Sequence, residues 1–439
     1  MTKLEIKKAG INGEGIGFYK RKPVFVMGCY PGEIVECELK DEGRHYQGEL
    51  KKILKRSPER IRSSCPHYRK CGACVFSDLA YAEQLKIKKQ LLEGALFKYC
   101  GYDKPLKDVV ASKKQLHYRN KANLPVIEHD GILVNALYKQ GSNHPCLIEN
   151  CEVHEEGVEE VRKAILTVLN RHKLKAYVHK EKSGIRQLVV RGFEGKYQAV
   201  IISGNDVFTK EVIDDLKKIK GLVSLYQGIN THKNPVQLMP DKLKKLFGER
   251  KIDLHCEEYD LKLSAQAFFQ LNRDQAERIY QDVASLIDEK GELLVEAYCG
   301  IGAISLHLHD KAEKIIGIEI VQEAITDAKE NAKLNGINNI EFICDDASRA
   351  IRKIASKNRI DVLVVDPPRT GLDEEFITTV LKSKIKKIIY VSCNPASLAK
   401  DLELLQKKYV IKDIQGYDMF PQTPHCEVVV SMSRVGSKL

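Results

Sequence analysis

The sequence predicts an α/β protein in three parts: a small β-barrel of the oligonucleotide-binding (OB-like) kind, a β-rich middle domain, and a Rossmann-like, doubly wound domain of seven strands. Three observations carry this reading. Strand and helix patterns alternate from Leu293 to the carboxyl terminus, short glycine-punctuated strands fill residues 3–57, and a hairpin pattern lies between them. The boundaries fall at 1–60, 61–260 and 261–439.

A chain of 439 residues corresponds to about three domains. It shows no apolar run long enough to span a bilayer and no basic-then-apolar leader, so a cytoplasmic protein with no membrane partner is expected; a monomer is the accompanying expectation. Thirteen cysteines in a long leaderless chain point to metal ligation or catalysis rather than to a disulfide framework. The formal charge of +11 is concentrated at one end: residues 1–60 carry 13 Lys and Arg against 9 Asp and Glu, and residues 61–121 carry 13 against 5. A basic amino-terminal third suits a polyanion held at one end and worked on at the other. A solvated lysine-rich face would produce the same count.

Residues 1–60 read as five or so strands, Leu4–Lys7, Lys22–Met27, Gly32–Leu39 and Gln47–Leu54 among them, with Gly10, Gly13, Gly15 and Gly17 as punctuation. Cys65-Pro66-His67-Tyr68-Arg69-Lys70-Cys71-Gly72-Ala73-Cys74 then places three thiols in ten residues. Such a loop needs a fourth ligand to close a tetrahedral thiolate site for zinc or an iron–sulfur cluster, and Cys151 is the first choice, with Cys146 second. Tyr81–Lys98 is a basic amphipathic helix, with Lys86, Lys88, Lys89 and Lys98 on its charged side; residues 81–100 could pack on the third domain. His117-Tyr118-Arg119-Asn120-Lys121 interleaves cations with an aromatic, as phosphate-and-base contacts require. Ile185–Arg191 and Tyr197–Ser203, joined at Glu194-Gly195, predict an antiparallel hairpin.

The third domain reads as strands Leu293–Cys299, Lys314–Ile320, Ile340–Cys344, Ile360–Val365 and Lys387–Ser392, with helices between, followed by strands near 410–417 and 426–432 that should pair antiparallel. Gly300 and Gly302 after the first strand allow close backbone approach of a ligand, and Glu319 at the end of the second suits ribose hydroxyls. The absence of a third glycine argues against a dinucleotide and for S-adenosylmethionine, with Asp346 placed to reach the adenine edge. Asp366 is stiffened by Pro367-Pro368, which exclude helix. Cys393 ends the next strand and precedes a helix, a setting that favours a thiolate nucleophile at the carboxyl edge of the sheet. A lone cysteine is more often buried and inert, but the neighbouring Asp366 loop makes this one part of a site.

Taken together, Gly13-Glu14-Gly15-Ile16-Gly17-Phe18, the four cysteines, Phe268-Phe269-Gln270-Leu271-Asn272, Tyr298-Cys299-Gly300, Asp366-Pro367-Pro368-Arg369-Thr370-Gly371, Ser392-Cys393-Asn394-Pro395 and Pro421-Gln422-Thr423-Pro424-His425-Cys426-Glu427 resemble the bacterial RNA uracil-C5-methyltransferase family. The likeness spans almost the whole chain and implies a class I methyltransferase domain behind a TRAM barrel. It implies a 4Fe–4S cluster on Cys65, Cys71, Cys74 and Cys151, and S-adenosylmethionine contacts from Gln270, Tyr298, Glu319 and Asp366. It assigns Cys393 as nucleophile and Glu427 as general base, and the cluster with the barrel points to the ribosomal-RNA branch, 23S above all, rather than to a shorter transfer-RNA branch.

Three positions depart from the family pattern: Glu296 for the usual Asp, Ala73 for a Gly, and Cys426 for an aliphatic residue. None removes a reacting group. The competing readings are an RNA cytosine-C5-methyltransferase, a transfer-RNA uridine enzyme, and an iron–sulfur RNA-binding protein with a decayed catalytic domain. A TRAM-bearing radical enzyme would show C-x3-C-x2-C where this chain has C-x5-C-x2-C.

Overall fold

Glycines and turn residues break the amino terminus into strands too short for any helix: β1 (Thr2–Glu5), β2 (Lys8–Ala9), β3 (Gly15–Tyr19), β4 (Lys22–Val26), β5 (Ile34–Asp41) and β6 (Tyr46–Lys55). They form one six-stranded sheet in the order β1-β5-β6-β4-β3-β2. Every neighbouring pair is antiparallel except β4 and β6, which run parallel. Its core contains Leu4, Ile6, Val24, Val26 and Val35 with the thiols of Cys29 and Cys37, and burial pushes the Cys29 thiol up to about 12. Gly17 is required by packing, since a Cβ there would lie 2.6 Å from Leu4.

The computed structural model describes every residue except 140, 141, 143, 234–238 and 437–439. It divides into two units, residues 1–115 with 367–377 and 390–439, and residues 116–366 with 378–389. After the first sheet comes α1 (Tyr81–Cys100), which ends at Gly101 in the left-handed conformation with its N–H returned to the Leu96 and Phe97 carbonyls. Its buried face is Gln84, Ile87, Lys88, Leu92 and Leu96. Lys88 is therefore not on the charged outer side that amphipathicity predicted.

In the second unit β7 (Lys121–His129), β8 (Ile132–Tyr138) and β9 (Pro145–Leu147) precede α2 (Glu156–Arg171). Then come β10 (Ile185–Phe193), β11 (Lys196–Ser203), α3 (Lys210–Lys217), β12 (Leu222–Ile229) and β13 (Leu243–Gly248). The sheet order is β13-β12-β11-β10-β7-β8-β9, antiparallel throughout except between β11 and β12. The expected hairpin is β10 with β11, in register Phe193 to Lys196 and Val189 to Val200. Its turn residues Glu194 and Gly195 both take positive φ, 53° and 79°, the backbone that a two-residue hairpin turn demands. Leu188, Val190, Ala199 and Ile201 bury one face of this sheet with Val158, Val161, Ile165 and Leu169 of α2.

A second hairpin, β14 (Lys251–Cys256) with β15 (Tyr259–Ser264), leads into α4 (Arg273–Ser285). The alternating region follows as β16 (Gly291–Ala297), α5 (Ala303–His307), β17 (Ala312–Glu319), α6 (Gln322–Leu334), β18 (Ile340–Cys344), α7 (Ala347–Lys357) and β19 (Val362–Val365). Then come α8 (Glu374–Lys382), β20 (Lys387–Ser392), α9 (Pro395–Leu405), β21 (Tyr409–Tyr417) and β22 (Glu427–Arg434). The seven strands lie in the order β18-β17-β16-β19-β20-β22-β21. β16, β17, β18 and β19 are parallel, and β21 and β22 pair antiparallel, Tyr417 opposite Glu427. The strand order reverses at β16, so the carboxyl ends of β16 and β19 form a topological switch point, where open α/β sheets bind ligands. Among the described residues no helix is long and apolar enough to cross a membrane.

Candidate active site

In the second unit, five of the six predicted cofactor residues lie at carboxyl ends of parallel strands or in the turns just beyond. The turn after β16 is forced into an unusual path: Tyr298, Gly300 and Gly302 all take positive φ, 66°, 53° and 81°. Gly302 has a packing reason, because a Cβ there would meet Phe342 at 2.8 Å. Gly300 does not, since a Cβ there would meet nothing within 4 Å. The open space above Gly300 is what close approach of a ligand requires. Glu319 borders it, and its carboxylate accepts hydrogen bonds from Gly300 N at 3.2 Å and Val321 N at 2.9 Å. A carboxylate has about four lone-pair sites, so capacity for two ribose hydroxyls remains. Ile320 beside it is 67% exposed, an apolar surface for the face of a base that sequence reading did not pick out.

Asp346 caps α7, accepting from Arg349 N at 3.0 Å, so one oxygen is committed to the helix. Asp366 is half-buried and loss of water pushes its carboxyl up to about 7. Glu296, one strand over, is fully enclosed and accepts a hydrogen bond from the Ser305 hydroxyl. Burial, with the charges of Asp366 and Glu319 adding to it, pushes the Glu296 carboxyl up to about 8. Gln270 lies on a loop tied at two points by Asn120, which donates from Nδ2 to Gln270 O at 2.9 Å and from its amide to Leu271 O at 3.0 Å. Arg191, 3% exposed, donates to the carbonyls of Ser264 and Ala267 just upstream. The expected nucleic-acid role of the 117–121 stretch is corrected in part, since Tyr118 and Asn120 are buried and Asn120 is spent on the Gln270 loop.

In the first unit, Cys393 is half-buried on a turn whose backbone is pinned from both sides. Asn394 caps α9 through Ala396 N at 3.1 Å, with Pro395 at the first helical position. Its Nδ2 also donates to Arg369 O at 2.9 Å, and Ser397 Oγ donates to the same carbonyl at 3.0 Å. The loop that follows Asp366 is thus hydrogen-bonded to the turn that carries Cys393. Glu427, 2% exposed, opens β22, the strand next to β20 in the sheet. Cys426 beside it is a core thiol, pushed by burial up to about 12.

Cys65, Cys71 and Cys74 are half-buried in a loop closed by Cys71 N to His67 O at 2.8 Å and Tyr68 N to Cys65 O at 3.1 Å. Burial opposes ionisation of Cys151, but the hydrogen bond and charge of His154 outweigh it and leave this thiol below its ordinary range. Among the described residues no three His, Cys, Asp or Glu side chains are gathered into a group able to hold a metal ion.

The doubly wound sheet, its glycine turn and the carboxylate at the end of β17 define the class as a Rossmann-like α/β methyltransferase fold. A family profile described as tRNA (Uracil-5-)-methyltransferase matches residues 231–435. A Bacillus cereus protein named as an uncharacterized RNA methyltransferase is 36% identical over 442 residues, 98% of this chain and 96% of its own length. A counterpart from Enterococcus faecalis is 37% identical over 443 residues, 98% and 97%. The solved Pyrococcus abyssi tRNA (uracil-54, C5)-methyltransferase, in complex with S-adenosyl-L-homocysteine, shares the fold with a TM-score of 0.79 at 23% identity, over 98% of this chain and 99% of that one. The chain belongs to the RNA uracil-C5-methyltransferase family.

Proposed function

We propose that the protein methylates carbon-5 of a uridine in 23S ribosomal RNA by covalent catalysis, with Cys393 as nucleophile and Glu427 as general base. The observation that carries it is the pairing of a half-buried thiol on a pinned turn after β20 with a buried carboxylate opening the adjacent strand β22. Carbon-5 of uracil is a weak nucleophile. Addition of the Cys393 thiolate at carbon-6 makes an enolate whose carbon-5 can attack a methyl group, dividing one hard step into two. S-adenosylmethionine, when bound, supplies that methyl on a sulfonium sulfur. Glu427 then takes the carbon-5 proton, and the thiolate is eliminated. The target base must be single-stranded or flipped out of its stack for either residue to reach it.

Glu319 would hold the ribose, Asp346 the adenine edge, and Gly300, Tyr298, Gln270 and Asp366 the remainder of the cofactor. The open space above Gly300 and the unfilled capacity of Glu319 support this fit. The six-stranded amino-terminal sheet, read as a TRAM domain, would bind flanking RNA with the basic residues of the first third. Cys65, Cys71, Cys74 and Cys151 are proposed to hold a structural 4Fe–4S cluster on the strength of their donor chemistry. Transfer RNA is the second reading, favoured by the substrate in the name of the Pyrococcus abyssi relative.

The test is methyl transfer from labelled S-adenosylmethionine to unmodified 23S ribosomal RNA and, separately, to transfer RNA, followed by nucleoside analysis, with Cys393→Ala alongside. Label in 5-methyluridine from ribosomal RNA, lost in Cys393→Ala, is expected. Label from transfer RNA alone selects the second reading, label in 5-methylcytidine overturns the base specificity, and transfer by Cys393→Ala overturns the mechanism.

A further inference from the structure

One face of α1 is spent on a distant loop. Tyr81, Gln84 and Lys88, three and four residues apart and so stacked on one side of the helix, all bond to residues 418–422, the loop between β21 and β22. Tyr81 OH donates to Asp418 Oδ2 at 2.8 Å. Lys88, with no exposed surface, pairs with Asp418 and donates to Phe420 O at 3.0 Å. Gln84, 1% exposed, does most. Its Nε2 shares its two hydrogens among Gln422 Oε1 at 3.0 Å, Leu79 O at 2.9 Å and Phe76 O at 3.1 Å, while its Oε1 accepts from Gln422 N at 3.0 Å. Phe76 N closes the arrangement on Gln422 O at 3.0 Å.

Gln422 is held at φ 71°, a left-handed backbone that costs energy for any residue but glycine and persists only where its surroundings over-determine it. From Gln422 the chain runs five residues to Glu427 with few alternatives: Thr423 Oγ1 bonds Phe420 O at 2.8 Å, His425 N bonds Thr423 Oγ1 at 3.3 Å, and Cys426 Sγ bonds Tyr417 O at 3.5 Å. The left-handed turn therefore sets where Glu427 starts β22. A general base must sit within hydrogen-bond reach of its proton, and a displacement of about 1 Å can cost on the order of a hundredfold in rate.

We propose that Gln84 is a positioning residue for Glu427: by holding Gln422 in its left-handed turn it aims the base, and through Phe76 it ties that aim to the Cys65–Cys74 loop. This rests on Glu427 being the base. In the step concerned, the carbon-5 hydrogen passes as a proton to the Glu427 carboxylate, its electron pair restores the carbon-5 to carbon-6 double bond, and the carbon-6 to sulfur bond breaks to return the Cys393 thiolate. Nucleophilic addition and methyl transfer precede it and do not use Glu427. Weakening the clamp should slow release while sparing adduct formation.

The experiment follows methyl-labelled, denaturant-stable protein–RNA adduct and free 5-methyluridine on transcripts of 23S ribosomal RNA and of transfer RNA. It uses the full chain as wild type, Gln84→Ala, Gln84→Glu, Gln84→Ala/Gln422→Gly and Glu427→Gln. Gln84→Ala should lower turnover at least tenfold while methylated adduct accumulates at the wild-type rate. Glycine at 422, which adopts the turn unaided, should restore most of the turnover despite the missing clamp. Gln84→Glu, nearly isosteric but lacking the donors, gives the same readout where Gln84→Ala does not fold. If Glu427→Gln accumulates adduct and the Gln84 variants do not, or if they turn over normally, the positioning role is overturned. If Glu427→Gln accumulates none, the base assignment itself fails.

Discussion

The Tyr390 hydroxyl donates a 2.7 Å hydrogen bond to Asp401 Oδ2, joining the strand that leads to Cys393 to the helix that follows it. Leu372 N donates to the same oxygen at 2.8 Å, and Gly371, at φ 84°, lies so close that a Cβ would sit 2.6 Å from it. One carboxylate thereby holds strand, helix and the Pro367–Leu372 loop in fixed relation around the thiol. Tyr390→Phe should lower stability by about 2 kcal/mol, the worth of a buried hydrogen bond to a charged or partly charged group. Gly371→Ala should cost more, since the left-handed backbone alone carries about 1–2 kcal/mol and the new methyl displaces Asp401. Urea midpoints of both variants check this, and a neutral Gly371→Ala would show that the loop yields freely.

Legibility followed period and chemistry. The β10–β11 hairpin and the alternating sheet could be read because a period of two, turn residues and helix-length gaps are local signals. The glycine turn after β16 could be read because glycines that follow an apolar run are a local signal. The α1 clamp could not: Gln84 and Lys88 look like ordinary polar residues on a basic helix, and their partners stand 338 and 330 residues away. Arg191 was equally silent, a cation ending an apolar strand whose acceptors are backbone carbonyls with no sequence signature. Tyr118 misled in the other direction, an aromatic among cations that the fold buries.

Lys88 and Asp418 form an ion pair with no exposed surface on either side chain. Removing one partner leaves the other charge without compensation, which costs about 3–5 kcal/mol. Lys88→Met should destabilise the chain by that amount, and Lys88→Met/Asp418→Asn should recover most of it. Thermal or urea unfolding of the two variants distinguishes the cases; equal losses in single and double variants would mean that the side-chain volumes, not the charges, matter.

The cysteine assignment has a direct chemical readout. Protein prepared without oxygen should carry iron and acid-labile sulfide in equal amounts, and Cys65→Ala, Cys71→Ala, Cys74→Ala or Cys151→Ala should each abolish the broad visible absorption of the cluster. Zinc in place of iron would redirect the assignment to a structural tetrahedral site. Retention of full iron by Cys151→Ala would transfer the fourth position to another thiol, with Cys146 next in line.

Glu296 makes stability depend on pH in a direction opposite to that of an ion-paired carboxylate. Burial holds its carboxyl up to about 8 in the folded chain, against an ordinary value of 4.5. Between those limits the folded state binds a proton that the unfolded state has released, so stability falls as pH rises, by up to about 1.4 kcal/mol per pH unit. The full window is worth on the order of 5 kcal/mol. Asp366, pushed up to about 7, bends the profile the same way over a shorter span. Glu296→Gln cannot ionise and still offers an acceptor to the Ser305 hydroxyl, so its stability should fall less steeply across the same window, the remaining slope belonging to Asp366. Urea midpoints of the ligand-free protein from about pH 5 to about pH 8 measure both slopes. Parallel profiles for wild type and Glu296→Gln would show that Glu296 is ionised in the folded chain, with Ser305 and backbone dipoles outweighing the loss of water.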